Sequence, residues 1–549
     1  MNARGRQGNA RLERQRPPTF ADLALTRREL LKGAGAGAAV LTLPGFLAAC
    51  GGEESASGEQ ITELTWGTTP IRALDYARGF DVQTGVPLAI SLEALLVYDQ
   101  DLKLVPLLAE SWSQPDPKSY VFQVREGVEF WDGTPLAIED VVWSLERHMD
   151  PKLASEMGFY FESVDSIEAT GEREVTVSMK TADPFFPYVQ TFTTVIPKAF
   201  GEAQGKKLGS PGTPARIMGT GPYKITAFRA DDVITLEQNE NYWGEQPLVE
   251  KINAKIFADP QTMQLAMRAG EIDGTFQVPL PQADQWAKIK GTKAIYAPGM
   301  GIISLYFRMS EKPWSDIHVR RAFAHSLDRE GIVRNVLGGR AEVANSVVPP
   351  AQWGGLLSQD EITALYDELP SYPFDLELAK QELAQSSMPD GFEAATEYPN
   401  IIPEVGKALL NLQENLKQLN VKLTVNEVTP QSWFANLEAR KFTFGVSAFG
   451  PDYVDPANYP ISVFSKGSDS NRADYDNPKV TALLSEQQAA TNPEDRAEAI
   501  SEIMRITEAE LPYLNLWWPD SAMAISDRLT YDGFTPLWYN QVWIRNLSA

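Results

Sequence analysis

A single cysteine, Cys50, serves the whole chain of 549 residues, and it limits how a body of this size can be held together. No disulfide can form within the chain. About 500 residues beyond that thiol must therefore be stabilised by core packing alone, and the length is enough for two or three cores. Cys50 closes the run Leu47-Ala48-Ala49-Cys50, directly after a short apolar stretch. Upstream stands Thr26-Arg27-Arg28-Glu29-Leu30-Leu31-Lys32. A basic arm, an arginine pair, an apolar stretch, small residues and one thiol, in that order, form the layout of a processing segment.

That segment resembles a twin-arginine export signal ending in a bacterial lipoprotein box. The resemblance implies that residues 1–49 are removed, that Arg27 and Arg28 form the export address, and that Cys50 becomes the lipidated first residue. Residues 50–60, polar and small, then form a tether. Two other readings fit poorly. Gly33 to Leu47 is too short for a spanning helix of roughly 20 residues and is interrupted by glycines and Pro44. A core cysteine would need an apolar pattern, which the Ala49 and Gly51-Gly52 neighbours do not provide.

The net charge of −24 becomes more negative once the basic arm is set aside. Such acidity excludes nucleic acid and a basic membrane-binding face. It suits a soluble extracytoplasmic body, a monomer, held to the membrane only by its anchor. His148, His318 and His325 are the only histidines. The last two share one face of a predicted helix, but no third ligand follows at metal spacing. Neither a metal site nor a cofactor is expected.

The periodicity predicts an α/β fold with mixed sheets. Ile61 to Trp66 alternates as a strand running into Gly67-Thr68-Thr69-Pro70. Ser119 to Phe130 alternates again and breaks at Trp131-Asp132-Gly133-Thr134-Pro135. Ile138, Val141, Val142 and Leu145 then mark one helical face, and Val175 to Met179 another strand. Phe392 to Glu397, the stripe Val405, Leu409, Leu412, Leu416 and Leu419, and Val421 to Val425 form a strand, helix and strand, hence a parallel βαβ unit. A helix opens at Asn492-Pro493-Glu494-Asp495 with cap, proline and acids in place. A strand follows over Leu511 to Trp518.

Enzyme signatures are missing. Gly445-Val446-Ser447-Ala448-Phe449 lacks the second glycine of a nucleophile elbow, and there is no phosphate loop, paired-histidine zinc helix or calcium loop. A set of ordered segments instead resembles family 5 of the bacterial extracellular solute-binding proteins, the peptide/nickel-binding group of ABC importers. The segments are Leu107-Leu108-Ala109-Glu110-Ser111-Trp112, Tyr120 to Phe130 with Asp132-Gly133-Thr134-Pro135, Gly219-Thr220-Gly221-Pro222-Tyr223, Asn239-Glu240-Asn241-Tyr242-Trp243, and Pro313-Trp314-Ser315-Asp316 with Val319-Arg320-Arg321-Ala322-Phe323 and Leu327-Asp328-Arg329. Trp131, Trp314 and Arg308 depart from the family's usual His, Phe and Asn.

The resemblance implies a two-lobed periplasmic-binding-protein fold of type II, with hinge strands and an extra third domain. Lobe I is placed at 61–97, 218–302 and 513–549, the inserted domain at 98–217 and lobe III at 303–512. The ligand, a peptide or similar oligomeric solute, is enclosed between closing lobes and passed to an ABC permease with cytoplasmic ATPases. A nickel chelate or a short oligosaccharide is the alternative for the same transporter type. An extracellular carboxylate-dependent hydrolase is the alternative from another class.

The resemblance also places ligand contacts in Phe449-Gly450-Pro451-Asp452-Tyr453-Val454-Asp455-Pro456. Asp452 takes the position that holds a peptide's α-ammonium, beside Phe449 and Tyr453, and Trp433 matches a pocket-lining tryptophan. Thr68 and Thr69 join the set, and Arg308 is a candidate for an anionic ligand group. The residues alone leave other roles open: turn formation for Asp452 and Asp455, core packing for Trp433 and a salt bridge for Arg308.

Overall fold

Two sheets organise the chain, and only two short segments join them. The computed structural model describes residues 60–450, 453–490 and 492–549. Cys50, Arg27, Arg28 and the tether up to residue 59 lie outside the described residues, and so does Asp452.

The first sheet has seven strands, in the order Thr292–Ala297, Ser521–Ser526, Gly274–Thr275, Ile61–Thr68, Val249–Ile256, Val233–Gln238 and Tyr223–Arg229. It is mixed: Ile61–Thr68 runs parallel to both of its neighbours, and the other pairs are antiparallel. The second sheet is antiparallel throughout, in the order Ala341–Val343, Tyr513–Pro519, Ile302–Phe307 and Phe444–Phe449. A third sheet, Ala109–Asp116, Ser119–Val124, Glu174–Met179 and Val164–Gly171, stands apart from both.

The chain leaves the first sheet through Pro298 to Gly301 and returns through Asp520 alone. The two crossings are neighbours on both sides. Thr292–Ala297 pairs with Ser521–Ser526 up to Ala297 opposite Ser521. Pairing resumes beyond the crossing with Ile303 opposite Trp517. No ladder bonds hold the stretch between, so an antiparallel ribbon spans both sheets with one unladdered joint. At that joint a β-carbon on Gly299 would overlap the Pro519 carbonyl. Only glycine admits this approach.

Much of the local structure follows the sequence pattern. Glu393–Pro399 and Lys422–Val428 pair in parallel, joined by the helix Pro403–Leu416. The stripe Val405, Leu409, Leu412 and Leu416 of that helix is wholly buried. The helix Pro493–Glu510 is capped as its first turn predicts, with the Asn492 side chain accepting from the Asp495 amide at 2.9 Å. One strand is shorter than its alternation. Ser119–Val124 stops before Gly127, whose φ of +74° turns the chain, although Val128 and Phe130 stay buried.

The segments that stood out in the sequence act as buried polar hubs. Glu93, itself buried, accepts from Thr220 Oγ1 at 2.7 Å, from Tyr242 Oη at 2.8 Å and from Trp243 Nε1 at 2.8 Å. Two sequence-distant motifs thus meet on one carboxylate. Arg320 donates to the carbonyls of Trp314, Glu510 and Leu511, and Arg329 to those of Ala344, Tyr372 and Asn515. Trp314, in place of the usual phenylalanine, directs its extra N–H to Thr443 Oγ1 at 2.8 Å. Buried donors and acceptors met in this way fix one packing arrangement, because any other would leave them unsatisfied.

His318 faces Glu382 at 2.7 Å and His325 the Pro373 carbonyl at 2.8 Å. No helix among the described residues is long and apolar enough to cross a membrane.

Candidate functional site

Above the joint of the ribbon lies a cleft of about 880 Å³. The outgoing crossing contributes Met300 and Gly301, and the returning one Pro519 and Asp520, followed by Ser521 and Ala522. Phe276 to Pro279 and Trp538 to Asn540 line it from the first sheet's body, and Phe449 and Gly450 from the second. Tyr76, Phe80 to Val82, Phe159, Phe192, Pro260 and Pro536 complete the lining.

Its rings are held by their neighbours. Phe276 stacks on Trp538 with centroids 4.1 Å apart and packs against the buried Trp66 at 4.8 Å. Phe80 meets Phe192 at 5.2 Å. Phe449 packs on Tyr459, whose hydroxyl donates to the Met300 carbonyl at 2.7 Å and so ties the strand end to the crossing. A cleft so rich in aromatic faces, with few polar groups, suits a solute that buries apolar surface.

Only two charged side chains line the cleft among the described residues, and both are acids. Asp81 is committed: it accepts from the Thr84 amide at 3.2 Å and the Thr84 hydroxyl at 2.6 Å, with Arg72 Nε at 3.5 Å. Asp520 is not. Its backbone N–H donates to the Arg340 carbonyl at 3.0 Å, but its carboxylate has no hydrogen bond or ion pair among the described residues. Burial pushes that carboxyl up to about 6; Glu342 pushes the same way and Arg340 opposes. The group is therefore charged at neutral pH and is neutralised as pH falls through about 6.

The residues singled out from the sequence lie in several places. Phe449 lines the cleft. Tyr453 is stacked between Phe185 at 5.2 Å and Tyr188 at 5.4 Å. Next to it, the Val454 amide donates to Tyr98 Oη at 3.2 Å. Asp455, 1% exposed, pairs with Arg496 at 2.5 Å, and that guanidinium sits 5.3 Å over the Phe185 ring. Residues 453–455 are thus clasped by Tyr98 and the segment 185–188.

Trp433 sits buried in the helix Pro430–Glu438, within the second sheet's core. Thr68 is wholly buried at the end of the first strand, with Thr69 half-buried after it. Arg308 directs its guanidinium to the carbonyls of Arg440 at 3.0 Å and Phe442 at 2.7 Å, beside Glu311 at 3.3 Å and Asp474 at 3.8 Å. None of these four lines the cleft.

Sequence reasoning passed over Asp520, Phe276, Phe80 and Trp538. For Asp520 a signal existed, because it stands between two long buried runs, Tyr513 to Trp518 and Ala522 to Ile525. An acid confined to so short a break between apolar strands has little room to reach open water. For the aromatic residues no local pattern separates a cleft ring from a core ring.

The model of the bacterial extracellular solute-binding proteins, family 5 Middle, matches residues 103–471. Heme-binding protein A of Haemophilus influenzae is 26% identical over 441 residues, covering 74% of this chain and 78% of that protein. The dipeptide-binding protein DppE of Bacillus subtilis is 24% identical over 501 residues, covering 84% and 87%. Among solved structures, the ABC transporter-associated periplasmic binding protein DppA from Helicobacter pylori, in complex with peptide STSA, gives a TM-score of 0.73 at 20% identity, covering 89% of this chain and 98% of that one. That likeness identifies the fold as the mixed α/β, two-lobed architecture of periplasmic binding proteins.

The clasp on residues 453–455 yields a direct test. Arg496→Ala leaves the Asp455 carboxylate buried without its cation, a change that costs about 3–5 kcal/mol in comparable sites. Urea unfolding should show a loss of unfolding free energy of that size, read as the midpoint shift multiplied by the slope m. A loss below about 1 kcal/mol, the range of exposed pairs, would mean that the ion pair does not hold the loop.

Proposed function

Because the chain belongs to the bacterial extracellular solute-binding proteins of family 5, non-enzymatic carriers that serve ABC importers, we propose that it encloses a peptide or similar oligomeric solute in the cleft above the ribbon joint. The observation that carries this reading is the cleft itself: about 880 Å³, lined by preorganised rings and placed where both sheets meet. Its volume lies within the range of small-molecule sites and admits a short peptide. The names of DppE, a dipeptide-binding protein, and of the peptide-bound DppA structure support the class. A flat anionic ligand, as the name of the heme-binding relative would bring, meets no cationic side chain on the lining among the described residues.

In this reading lobe I comprises 61–97, 218–302 and 513–549, the insertion 98–217 and lobe III 303–512. The lobes close around the solute and present it to a permease with cytoplasmic ATPases. Asp452 holds the peptide's α-ammonium, with Phe449 beside it. The mature protein is a monomer, anchored outside the cytoplasmic membrane by lipid on Cys50 after export by the twin-arginine route.

Titration calorimetry with a free and an N-acetylated peptide, on wild type and Asp452→Asn, forms a closed cycle. The free peptide should bind wild type tightly and lose about 2–5 kcal/mol in the variant, mostly through faster release. The acetylated one should bind weakly and lose little more. No binding of any short peptide would overturn the peptide reading. Equal losses for both would remove Asp452 from the site.

The anchor has its own test. Cys50→Ser should leave an unlipidated precursor, because only a thiol accepts the diacylglyceryl group, and Arg27→Lys with Arg28→Lys should retain the protein inside. Labelled lipid incorporated into the serine variant would contradict the anchor. Normal export of the double lysine variant would contradict the twin-arginine route alone.

A further inference from the structure

We propose that the cleft selects solutes bearing a cationic group and that Asp520, in the returning crossing, is the residue that receives it; this deepens the solute-binding reading and rests on it. Asp520 is the single residue between the strand that ends the second sheet's ribbon and the strand that re-enters the first. Its carboxylate therefore stands where both bodies meet, and closure of either body over the solute leaves it at the solute's side.

The carboxylate is also the one charge on the lining left without a partner among the described residues. Asp81, the other acid there, is satisfied by Thr84 and Arg72. The charges around Asp520 come from neighbouring elements and oppose one another: Arg340 precedes the strand Ala341–Val343 and Glu342 lies within it. Arg340 also sets its guanidinium 3.8 Å over the Tyr296 ring, a ring whose own surroundings include both Asp284 and Asp520. No salt bridge joins Arg340 to Asp520. A half-buried carboxylate has lost part of its water, so a cation brought by the solute gains more there than it would on the open surface. An anion gains nothing.

The rest of the lining fits the same chemistry. Trp538, Phe276 and Phe449 present aromatic rings that attract cations while covering apolar surface. No Lys, Arg or His lines the cleft among the described residues. The ligand class is therefore a molecule with an apolar body and an ammonium or guanidinium group, such as a peptide with a basic side chain.

Two probe pairs decide it, the members of each differing by one cationic group: Phe-Lys-Phe amide against Phe-Gln-Phe amide, whose shared α-ammonium cancels in the comparison, and 2-phenylethylammonium against 2-phenylethanol. Affinities are read by titration calorimetry at pH 7.5 on wild type, Asp520→Asn and Asp520→Glu. The expected result is at least a tenfold preference for the cation within each pair in wild type. Asp520→Asn should abolish that preference and leave the glutamine peptide and the alcohol within about twofold, and Asp520→Glu should retain it. The glutamate variant keeps the comparison meaningful if the asparagine variant fails to fold.

Peptides that bind without a cation preference, or a preference that survives in Asp520→Asn, would overturn the inference and leave the peptide reading standing. Failure of both peptides to bind, with Asp520-dependent binding of the ammonium, would overturn the peptide reading and support the cation site. No preference in the small-molecule pair when neither peptide binds would overturn both.

Discussion

The antiparallel ribbon that runs through both sheets is the constraint on which the rest of the structure depends. Its strands are hydrogen-bonded within the first sheet and again within the second, but not at the joint between them. Bending there breaks no ladder bond, whereas bending anywhere else along the ribbon would. Gly299 lets the two crossings press together at the joint, where its missing side chain leaves room for the Pro519 carbonyl. The cleft lies over this point and borrows Met300, Gly301, Pro519 and Asp520 from it. The cleft and the unladdered joint of the ribbon are therefore the same place, the geometry that the proposed clamp would use.

A second connection between the bodies is noncovalent. Tyr453 between two rings, Val454 bonded to Tyr98, and Asp455 paired with Arg496 hold the segment after Phe449 against residues 185–188. Phe449 and Gly450 line the cleft immediately before that clasp. The position of one cleft wall thus depends on a buried ion pair and a stack of rings outside the cleft. Buried pairs of this kind act more as registers than as sources of net stability, because desolvation offsets most of their attraction.

What could be read from the sequence was chiefly the fold, and the reason lies in what its motifs do. The Gly-Thr-Gly-Pro-Tyr and Asn-Glu-Asn-Tyr-Trp segments meet on Glu93, and Arg320 and Arg329 gather carbonyls from separate elements. Such residues are fixed by packing whatever the solute, so they mark the fold and say little about the ligand. The βαβ unit and the Asn492 cap were legible because their signals are local. The cleft was not, because it is assembled from residues as distant in sequence as Phe80, Phe276, Phe449 and Trp538. Arg308 and Trp433 show the same limit: their chemistry suits a site, but the fold sets them among carbonyls and core side chains.

Closure over the joint can be measured without knowing the solute in advance. Small-angle scattering compares the unfolded-and-refolded, solute-free protein with the same protein saturated by whatever solute co-purifies with it. The clamp predicts a smaller radius of gyration in the saturated sample, lost again when the solute is removed. An identical radius in both states, with binding confirmed by calorimetry on the same samples, would contradict closure and leave a rigid cleft in its place.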